Sequence, residues 1–275
     1  MLPTMDAWQS WRGPLLYAHR GARLERPENT PQALATAVGL GADALEIDVH
    51  MTRDGQVVVA HDADGLRMAG DPRAIRDCTL AEVQSWDVSR GFEGQPLQVA
   101  RVPTLADVLE ELPGVPLNID LKQSQPSMVE AALGVVQRAA AYERVLLTSF
   151  SFATLRAVRA AGYPGPTGFS QAEAVLLVFA PPRLLRRLAL AGSRLQIPTR
   201  HGPLRLDRPA LIDKMHALGI AVDYWVINDI AQAERLLDRG ADGIVTDDPR
   251  AMAGLFERHG RCDGWRARRP RGAGP

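Results

Sequence analysis

Residues 15–62 read LLYAHRGARLERPENTPQALATAVGLGADALEIDVHMTRDGQVVVAHD, and this stretch decides the interpretation of the whole chain. Two apolar runs of strand length, Leu15 to Ala18 and Ala44 to Val49, lie on either side of a helical pattern. The helix has a start signal at Thr30-Pro31 and a glycine stop signal at Gly41. The stretch therefore predicts a strand, a helix and a second strand in succession.

The same alternation of short apolar runs and helical patterns repeats along the chain. Eight runs of strand length occur, at residues 15–18, 44–49, 117–121, 145–148, 166–169, 195–197, 221–227 and 243–246. A chain of 275 residues suits an α/β barrel, which commonly takes about 250 residues. We predict an α/β fold of the TIM (β/α)8 barrel type, with residues 1–260 as a single domain.

One interval departs from this alternation. Residues 50–115 lie between the second and third strands, which is more than one helix and two loops require. The interval contains an alternating strand at Gln56 to His61 and a helix at Thr104 to Leu112. We predict an insertion after strand two, which emerges on the catalytic face of a barrel. Residues 261–275 contain five arginines with little to bury and are predicted to be a basic, disordered tail.

Composition excludes several classes of protein. The 32 basic and 32 acidic side chains give a formal net charge of zero, so neither nucleic acid nor an anionic membrane is indicated as a partner. Two cysteines, Cys78 and Cys262, cannot form a disulfide framework. The first residues lack the basic start and apolar core of a signal peptide, so we expect a cytoplasmic protein without a transmembrane segment.

The most apolar stretch, residues 174–180, is followed by two prolines and by Arg183, Arg186 and Arg187. It is far shorter than the roughly 20 residues of a membrane span. The favoured interpretation is a barrel helix that buries its leucines and leaves its arginines in water. The alternative is a lid or a membrane-touching helix, which would bring long acyl substrates such as lysophospholipids into range.

Titratable side chains are concentrated between residues 19 and 62. Glu46 and Asp48 are two residues apart on a strand and face the same side, where two like charges repel each other. A hard divalent cation with oxygen ligands would remove this repulsion. His19 and His61 flank the pair and would supply proton donors and acceptors near neutral pH.

At this point the residues amount to a family signature. The chain closely resembles the glycerophosphodiester phosphodiesterase family over residues 15 to about 253, which is nearly its whole length. The motifs that carry the resemblance are AHRG (18–21), PENT (27–30), Glu46-x-Asp48, the turn with Thr52, Asp54 and Gly55, HD (61–62), NIDLK (118–122), Ser149-Phe150, Gln196, WVIN (225–228) and DGIVTD (242–247). The resemblance implies an eight-stranded barrel that hydrolyses glycerophosphodiesters to sn-glycerol 3-phosphate and an alcohol with a divalent metal.

Asp120 and Lys122 end strand three, again two residues apart, so adjacent strands bring them to Glu46 and Asp48. Three carboxylates without a cysteine suit one divalent cation, Mg²⁺ or Ca²⁺. The cation together with Arg20 and Lys122 would stabilise the charge that grows on the phosphate oxygens during attack. Asp120 departs from the family, which commonly has glutamate there, so we expect metal binding to be retained, while the shorter side chain leaves the metal preference open.

The resemblance also implies roles for four further side chains. It makes His19 and His61 the acid and base pair. Which of them is the base stays open, and so does whether the glycerol hydroxyl attacks first to give a cyclic phosphate. Trp225 resembles an indole that packs against the glycerol carbons. Glu28 is expected either to reach the metal or to orient Arg20.

The leading hypothesis is metal-dependent hydrolysis of glycerophosphodiesters, and its expected partner is that small-molecule substrate, without nucleic acid and without stable membrane insertion. Two alternatives share the scaffold: a lysophospholipase D, or a phospholipase-like enzyme that forms a cyclic phosphate. A third is a catalytically silent barrel that senses phosphodiesters, although a binding module has no need of paired proton-transfer groups. The oligomeric state is left open.

Overall fold

The structure is a computed structural model that describes residue 8, residues 13–94 and residues 98–260. The strands in these ranges are β1 (Leu15–His19), β2 (Ala44–Met51), β3 (Val57–Val59), β4 (Asp64–Gly65), β5 (Asp71–Ala74), β6 (Leu117–Leu121), β7 (Val145–Thr148), β8 (Arg194–Ile197), β9 (Arg200–His201), β10 (Leu204–Arg205), β11 (Ala221–Tyr224) and β12 (Gly243–Thr246). The predicted tail at 261–275 lies outside the described residues.

Helices alternate with these strands. They are α1 (Pro31–Gly39), α2 (Leu66–Ala69), α3 (Leu80–Gln84), α4 (Leu105–Glu111), α5 (Val129–Arg138), α6 (Phe152–Ala160), α7 (Gln171–Phe179), α8 (Pro182–Leu185), α9 (Pro209–His216), α10 (Ile230–Asp238) and α11 (Pro249–Arg258), with short 3-10 turns at Ile75–Asp77, Val88–Gly91 and Tyr142–Arg144. Across the described ranges, no helix has the length and apolar content needed to cross a bilayer.

Seven strands form one parallel sheet in the order β7, β6, β2, β1, β12, β11, β8. Each of these strands follows a helix or precedes one, as right-handed β–α–β crossovers require. β3 lies off this path and pairs with the end of β2 in antiparallel fashion. The order places β7 and β8 at the two edges of a curled sheet.

The predicted strand at residues 166–169 joins these two edges but is not a regular strand. It is reduced to one parallel bridge to β7, through Thr167, and one to β8, through Gly168. Pro166 has no N–H to donate to a ladder, although its carbonyl accepts a hydrogen bond from Leu147 N at 3.1 Å. The predicted α/β barrel is confirmed, with its fifth strand shortened to single bridges.

Alternation along β2 decides which side chains enter the barrel. Leu45 and Ile47 are fully buried among apolar side chains that include Leu34 and Ala37 of α1. Residues between them on a strand point the opposite way. Glu46 and Asp48 therefore face the barrel interior. A second apolar cluster lies around β8, β11 and β12.

The insertion after β2 contains β3 to β5 and α2 to α4, and it has its own small apolar cluster. Val58, Ile75, Val83, Trp86 and Val102 are all buried in that cluster. The predicted strand at Gln56 to His61 is shorter than expected, since β3 ends at Val59. The chain that leaves β3 carries His61 to the mouth of the barrel.

The turn after β1 depends on a glycine. Gly21 has φ +81°, a value that favours glycine, and a Cβ built on it would lie 2.7 Å from the carbonyl carbon of Ala33. Here the turn passes directly over the first turn of α1, which Thr30 caps by accepting a hydrogen bond from Ala33 N. The close approach sets the path of the loop that carries Arg20.

We predict that Gly21→Ala lowers the free energy of unfolding by at least about 2 kcal/mol, because a left-handed backbone and a backbone overlap act together. Gly39→Ala is the matched control, since no atom lies within 4 Å of its added Cβ. That helical substitution should leave stability unchanged or raise it by about 0.5–1 kcal/mol. Urea denaturation measures both, and equal midpoints for the two variants would contradict the role of Gly21.

Candidate active site

A cavity of about 380 Å³ opens at the carboxyl ends of the barrel strands. His19 is the last residue of β1, Lys122 follows β6 directly, and Trp225 follows β11. Eight of the nine predicted site residues line this cavity: His19, Arg20, Glu46, Asp48, His61, Asp120, Lys122 and Trp225. The ninth, Glu28, is buried and reaches the cavity through Arg20.

Strand register brings the predicted carboxylates together. Asp48 of β2 pairs directly with Asp120 of β6, and Glu46 of β2 pairs with His19 of β1. Lys122 Nζ lies 2.9 Å from Asp48 Oδ1 and 2.7 Å from Asp120 Oδ2. The ammonium group therefore bridges the two aspartates.

The charges around Asp48 are partly balanced. Arg20 Nε lies 3.3 Å from Asp48 Oδ2, and Asn29 Nδ2 donates a hydrogen bond to the same oxygen at 3.1 Å. Burial alone would raise the pKa of Asp48, but Lys122 and Arg20 hold it below its ordinary value. Asp48 is thus kept ionised inside the barrel.

Glu46 and Asp120 are less well compensated. Glu46 Oε2 and Asp120 Oδ1 are buried and have no hydrogen-bond partner. Burial, together with the charges of Asp48 and Asp120, raises the pKa of Glu46 well above its ordinary value. Burial likewise raises the pKa of Asp120. Two buried carboxylate oxygens without partners fit a site that is completed by a cation.

The described part of the chain contains no group of three or more His, Cys, Asp or Glu side chains already arranged around a metal position. Lys122 lies among these carboxylates, and its ammonium pairs with one oxygen of Asp48 and one of Asp120. The same two contacts raise the pKa of Lys122 above its ordinary value against the opposing effect of burial. The cluster is therefore organised around a protein cation.

His19 is held by Asp247, a residue to which the sequence motifs gave no role. His19 Nδ1 lies 2.6 Å from Asp247 Oδ1, and His19 Nε2 lies 3.9 Å from Glu46 Oε2. A carboxylate only accepts hydrogen bonds, so Nδ1 carries the proton and Nε2 is left towards the cavity. Asn228 donates to Asp247 Oδ2 at 2.8 Å and accepts from the Asp247 backbone N–H at 2.9 Å.

His61 has an equivalent partner. His61 Nδ1 lies 2.7 Å from Asp62 Oδ1, and Arg67 Nε donates to Asp62 Oδ2 at 2.6 Å. Burial alone would raise the pKa of Asp62, but Arg67 and His61 hold it below its ordinary value. Asp62 was visible in the sequence as the second residue of the HD motif, whereas its contact with His61 was not.

Glu28 contacts the arginines of the site. Its Oε1 accepts from Arg20 Nη1 at 3.0 Å and from Arg67 Nη2 at 2.6 Å. Arg23 Nη2 lies 3.2 Å from the other oxygen. The contact with Arg20 is the one that the second expectation for Glu28 requires, and that role stays a prediction. Burial would raise the pKa of Glu28, but hydrogen bonding to Arg67 and the charge of Arg20 lower it.

An aromatic pair forms one wall of the cavity. Trp225 and Phe150 meet edge to face, with ring centroids 6.0 Å apart and an interplanar angle of 70°. Lys122 Nζ lies 5.8 Å from the centroid of the Phe150 ring. Phe150 is 58% exposed. Its contacts with Lys122 and Trp225, two of the three predicted substrate- or phosphate-binding residues, were missed because the sequence shows Phe150 only as a neighbour of Ser149.

The opposite wall is apolar and comes from α7 and the segments around it. Its lining side chains are Phe169, Ala174, Val175, Val178, Phe179, Ile197, Leu204 and Leu206. The prediction of a barrel helix that buries its leucines agrees with the structure only in part, because Leu177 of α7 and Leu185 of α8 are buried whereas Leu176, Leu184 and Leu188 are 41–46% exposed. The prediction that Arg183, Arg186 and Arg187 stay in water agrees with their exposure.

Comparison with known proteins gives a consistent result. Residues 19–251 match the family described as the glycerophosphoryl diester phosphodiesterase family. The chain belongs to this family. The prediction of an enzyme of the glycerophosphodiester phosphodiesterase type is confirmed.

Relatives of the family cover most of the chain. A glycerophosphodiester phosphodiesterase of Caldanaerobacter subterraneus is 29% identical, over 90% of this chain and 99% of that protein. A human lysophospholipase D is 31% identical, over 84% of this chain and 82% of that protein. A solved phosphodiesterase structure from Oleispira antarctica has a TM-score of 0.74 at 24% identity, and it covers 91% of this chain and 99% of that one. The last likeness shows the shared fold.

We predict that Asp247→Asn lowers kcat by about 10- to 100-fold, because an uncharged amide no longer stabilises a protonated His19. Asp238→Asn is the matched control, since Asp238 pairs with His259 at 3.1 Å on the surface. Steady-state kinetics on a phosphodiester substrate, with circular dichroism to check folding, measures the effect. Equal kcat values for the two folded variants would refute the role of Asp247.

Proposed function

We propose that the protein hydrolyses glycerophosphodiesters, such as glycerophosphocholine, to sn-glycerol 3-phosphate and an alcohol. The observation that carries this proposal is one cavity with two imidazoles, each held at Nδ1 by a carboxylate, beside a cluster of Arg20, Lys122 and three acidic side chains. The Oleispira antarctica structure is described as a complex with the product sn-glycerol-3-phosphate, which supports this class of substrate. A cytoplasmic location is part of the proposal, in keeping with the unpaired, buried Cys78.

His19 and His61 are the proposed acid and base. With the Nδ1 proton held by Asp247 or Asp62, each imidazole has Nε2 available to exchange a proton. One Nε2 accepts the proton of the nucleophile while the other donates a proton to the leaving alkoxide oxygen. The same two groups serve if the glycerol hydroxyl attacks before water and a cyclic phosphate forms.

Arg20 and Lys122 are the proposed phosphate-binding residues. Arg20 is held by Glu28 and lies at ion-pair distance from Asp48, so its guanidinium is oriented before substrate arrives. Preoriented cations stabilise charge that develops on phosphate oxygens more than they stabilise the ground state. Trp225 is the proposed apolar surface for the glycerol carbons, with Phe150 as its neighbour.

One divalent cation, Mg²⁺ or Ca²⁺, is proposed at Glu46, Asp48 and Asp120. The support comes from Glu46 Oε2 and Asp120 Oδ1, which are buried without hydrogen-bond partners while Lys122 engages other oxygens of the cluster. All three side chains offer the oxygen ligands that both ions prefer. When bound, the cation would act as a Lewis acid on the phosphate.

A second candidate function is lysophospholipase D activity on lipid phosphodiesters. The observation that favours it is the apolar wall, because Phe169, Val175, Val178 and Phe179 offer no groups that a small polar alcohol would need. An acyl chain would be removed from water along such a wall. The human relative named lysophospholipase D supports the same possibility.

We predict that the purified protein releases sn-glycerol 3-phosphate from glycerophosphocholine and that a chelator abolishes the reaction. His19→Ala and His61→Ala should each lower kcat by about 10²- to 10⁴-fold, because each removes a proton-transfer group. His216→Ala is the control, since His216 pairs with Asp242 away from the cavity.

Substrate comparison and phosphorus NMR separate the candidates in the same assay. A kcat/KM that is higher on lysophosphatidylcholine than on glycerophosphocholine would establish lysophospholipase D as the principal activity, and a cyclic product would establish attack by the glycerol hydroxyl. Wild-type turnover by both alanine variants would refute the acid and base assignment.

We predict that Mg²⁺ or Ca²⁺ raises the melting temperature of chelator-treated protein by about 5 °C or more at a hundredfold excess over Kd. Glu46→Gln and Asp120→Asn should remove this metal-dependent increment, because each deletes a carboxylate ligand. Glu82→Gln is the control, since Glu82 pairs with Arg73 on the surface of the insertion. Differential scanning calorimetry measures the increment, and an equal rise in all variants would place the cation elsewhere.

A further inference from the structure

A patch of exposed apolar side chains lies beside the cavity. The apolar members are Val175 (54% exposed), Leu176 (41%), Phe179 (67%), Leu184 (46%) and Leu188 (41%). We call these five side chains, together with the exposed Arg183, Arg186 and Arg187, the α7–α8 patch. Among the described residues eleven large hydrophobic side chains are exposed, and five of them fall within these fourteen positions, 175–188. Single exposed apolar residues are ordinary, but five within fourteen consecutive positions indicate an interaction surface.

The charge of this region has one sign. Residues 174–206 contain no aspartate and no glutamate, although the whole chain has zero formal net charge. Arg183, Arg186 and Arg187 are exposed, and none of them has a carboxylate at ion-pair distance within the described ranges. Some exposed arginines elsewhere, such as Arg73 and Arg250, pair with carboxylates. The patch is therefore locally basic.

The patch is continuous with the mouth of the cavity. Val175 and Phe179 are more than half exposed and also line the cavity, so one face of α7 belongs to both surfaces. Phe150 is also more than half exposed and lines the cavity. A body that covered the α7–α8 patch would consequently meet the opening of the cavity.

We propose that the α7–α8 patch docks the protein on an anionic lipid surface. Its apolar side chains would lie at the boundary between headgroups and acyl chains, and its arginines would contact lipid phosphates, as in other interfacial helices. Each basic side chain near an anionic leaflet adds to the attraction. The proposal rests on exposure and charge alone and does not depend on the proposed function.

A second copy of the chain fits this surface less well. In a twofold symmetric dimer the same patch faces itself, so Arg183, Arg186 and Arg187 would approach their own copies without a carboxylate between residues 174 and 206 to pair with them. Lipid phosphates supply the missing charge, and acyl chains supply the apolar partner. The lipid surface is therefore the occupant that matches both properties of the patch.

Vesicle flotation with the full-length protein tests the proposal. We expect binding to phosphatidylcholine vesicles that contain phosphatidylglycerol, weaker binding as salt increases, and little binding to phosphatidylcholine alone. The triple variant R183Q/R186Q/R187Q should lose at least about tenfold in partitioning. The double variant L184S/L188S should lose partitioning at every salt concentration, because it removes buried apolar area.

The matched controls change equivalent side chains on other faces. R76Q/R138Q/R235Q removes the same charge and Ile230→Ser removes an exposed apolar side chain, and both should bind vesicles as the wild type does. Hydrolysis of water-soluble glycerophosphocholine should be the same in all these variants, so a failure of docking is distinguishable from a failure of the proposed reaction.

Three results would overturn the proposal. The first is undiminished vesicle binding by both patch variants, which would assign attachment to another basic segment such as residues 261–275, with its five arginines. The second is equal binding of the wild type to neutral and anionic vesicles. The third is a wild-type dimer in sedimentation velocity that dissociates in the L184S/L188S variant, which would make the patch an interface between copies of the chain.

Discussion

Repulsion among Glu46, Asp48 and Asp120 is the constraint on which the site depends. Barrel geometry forces it, because Asp48 and Asp120 are paired neighbours on adjacent strands and Glu46 faces the same interior one step earlier. Such a cluster is stable only when cations or hydrogen-bond donors compensate it. Lys122 and Arg20 supply part of that compensation.

The compensation of the three carboxylates is unequal. Asp48 has contacts to Lys122, Arg20 and Asn29, so its pKa is lowered. Glu46 Oε2 has no hydrogen-bond partner, and the pKa of Glu46 is raised. A fully neutralised cluster would have no capacity left for a further positive charge. The residual deficit of positive charge at Glu46 and Asp120 therefore supports the proposed cation site.

Sequence patterns predicted the barrel, and eight of the nine predicted site residues line the cavity, because parallel strands concentrate chemistry at their carboxyl ends. The patterns did not predict the contact of Asp247 with His19, which lies 228 positions away, because no local pattern reports contact over such a separation. They assigned a full strand at 166–169, where Pro166 removes a ladder donor. Periodicity described α7 correctly as apolar, but it carries no information on whether an apolar helix has a partner to cover it.

The zero net charge of the chain does not describe the exposed face of α7. Net charge governs long-range attraction, whereas adsorption to a surface depends on the charge and apolar area of the face that touches it. In this chain the carboxylates are gathered inside the barrel and on other faces, while residues 174–206 have none. Under the proposed function, a polar interior with Arg20 and Lys122 and an apolar, basic rim at Val175 and Phe179 would suit a phosphodiester whose alcohol is partly lipid. The fold separates these two surfaces, and the composition of the chain does not show this separation.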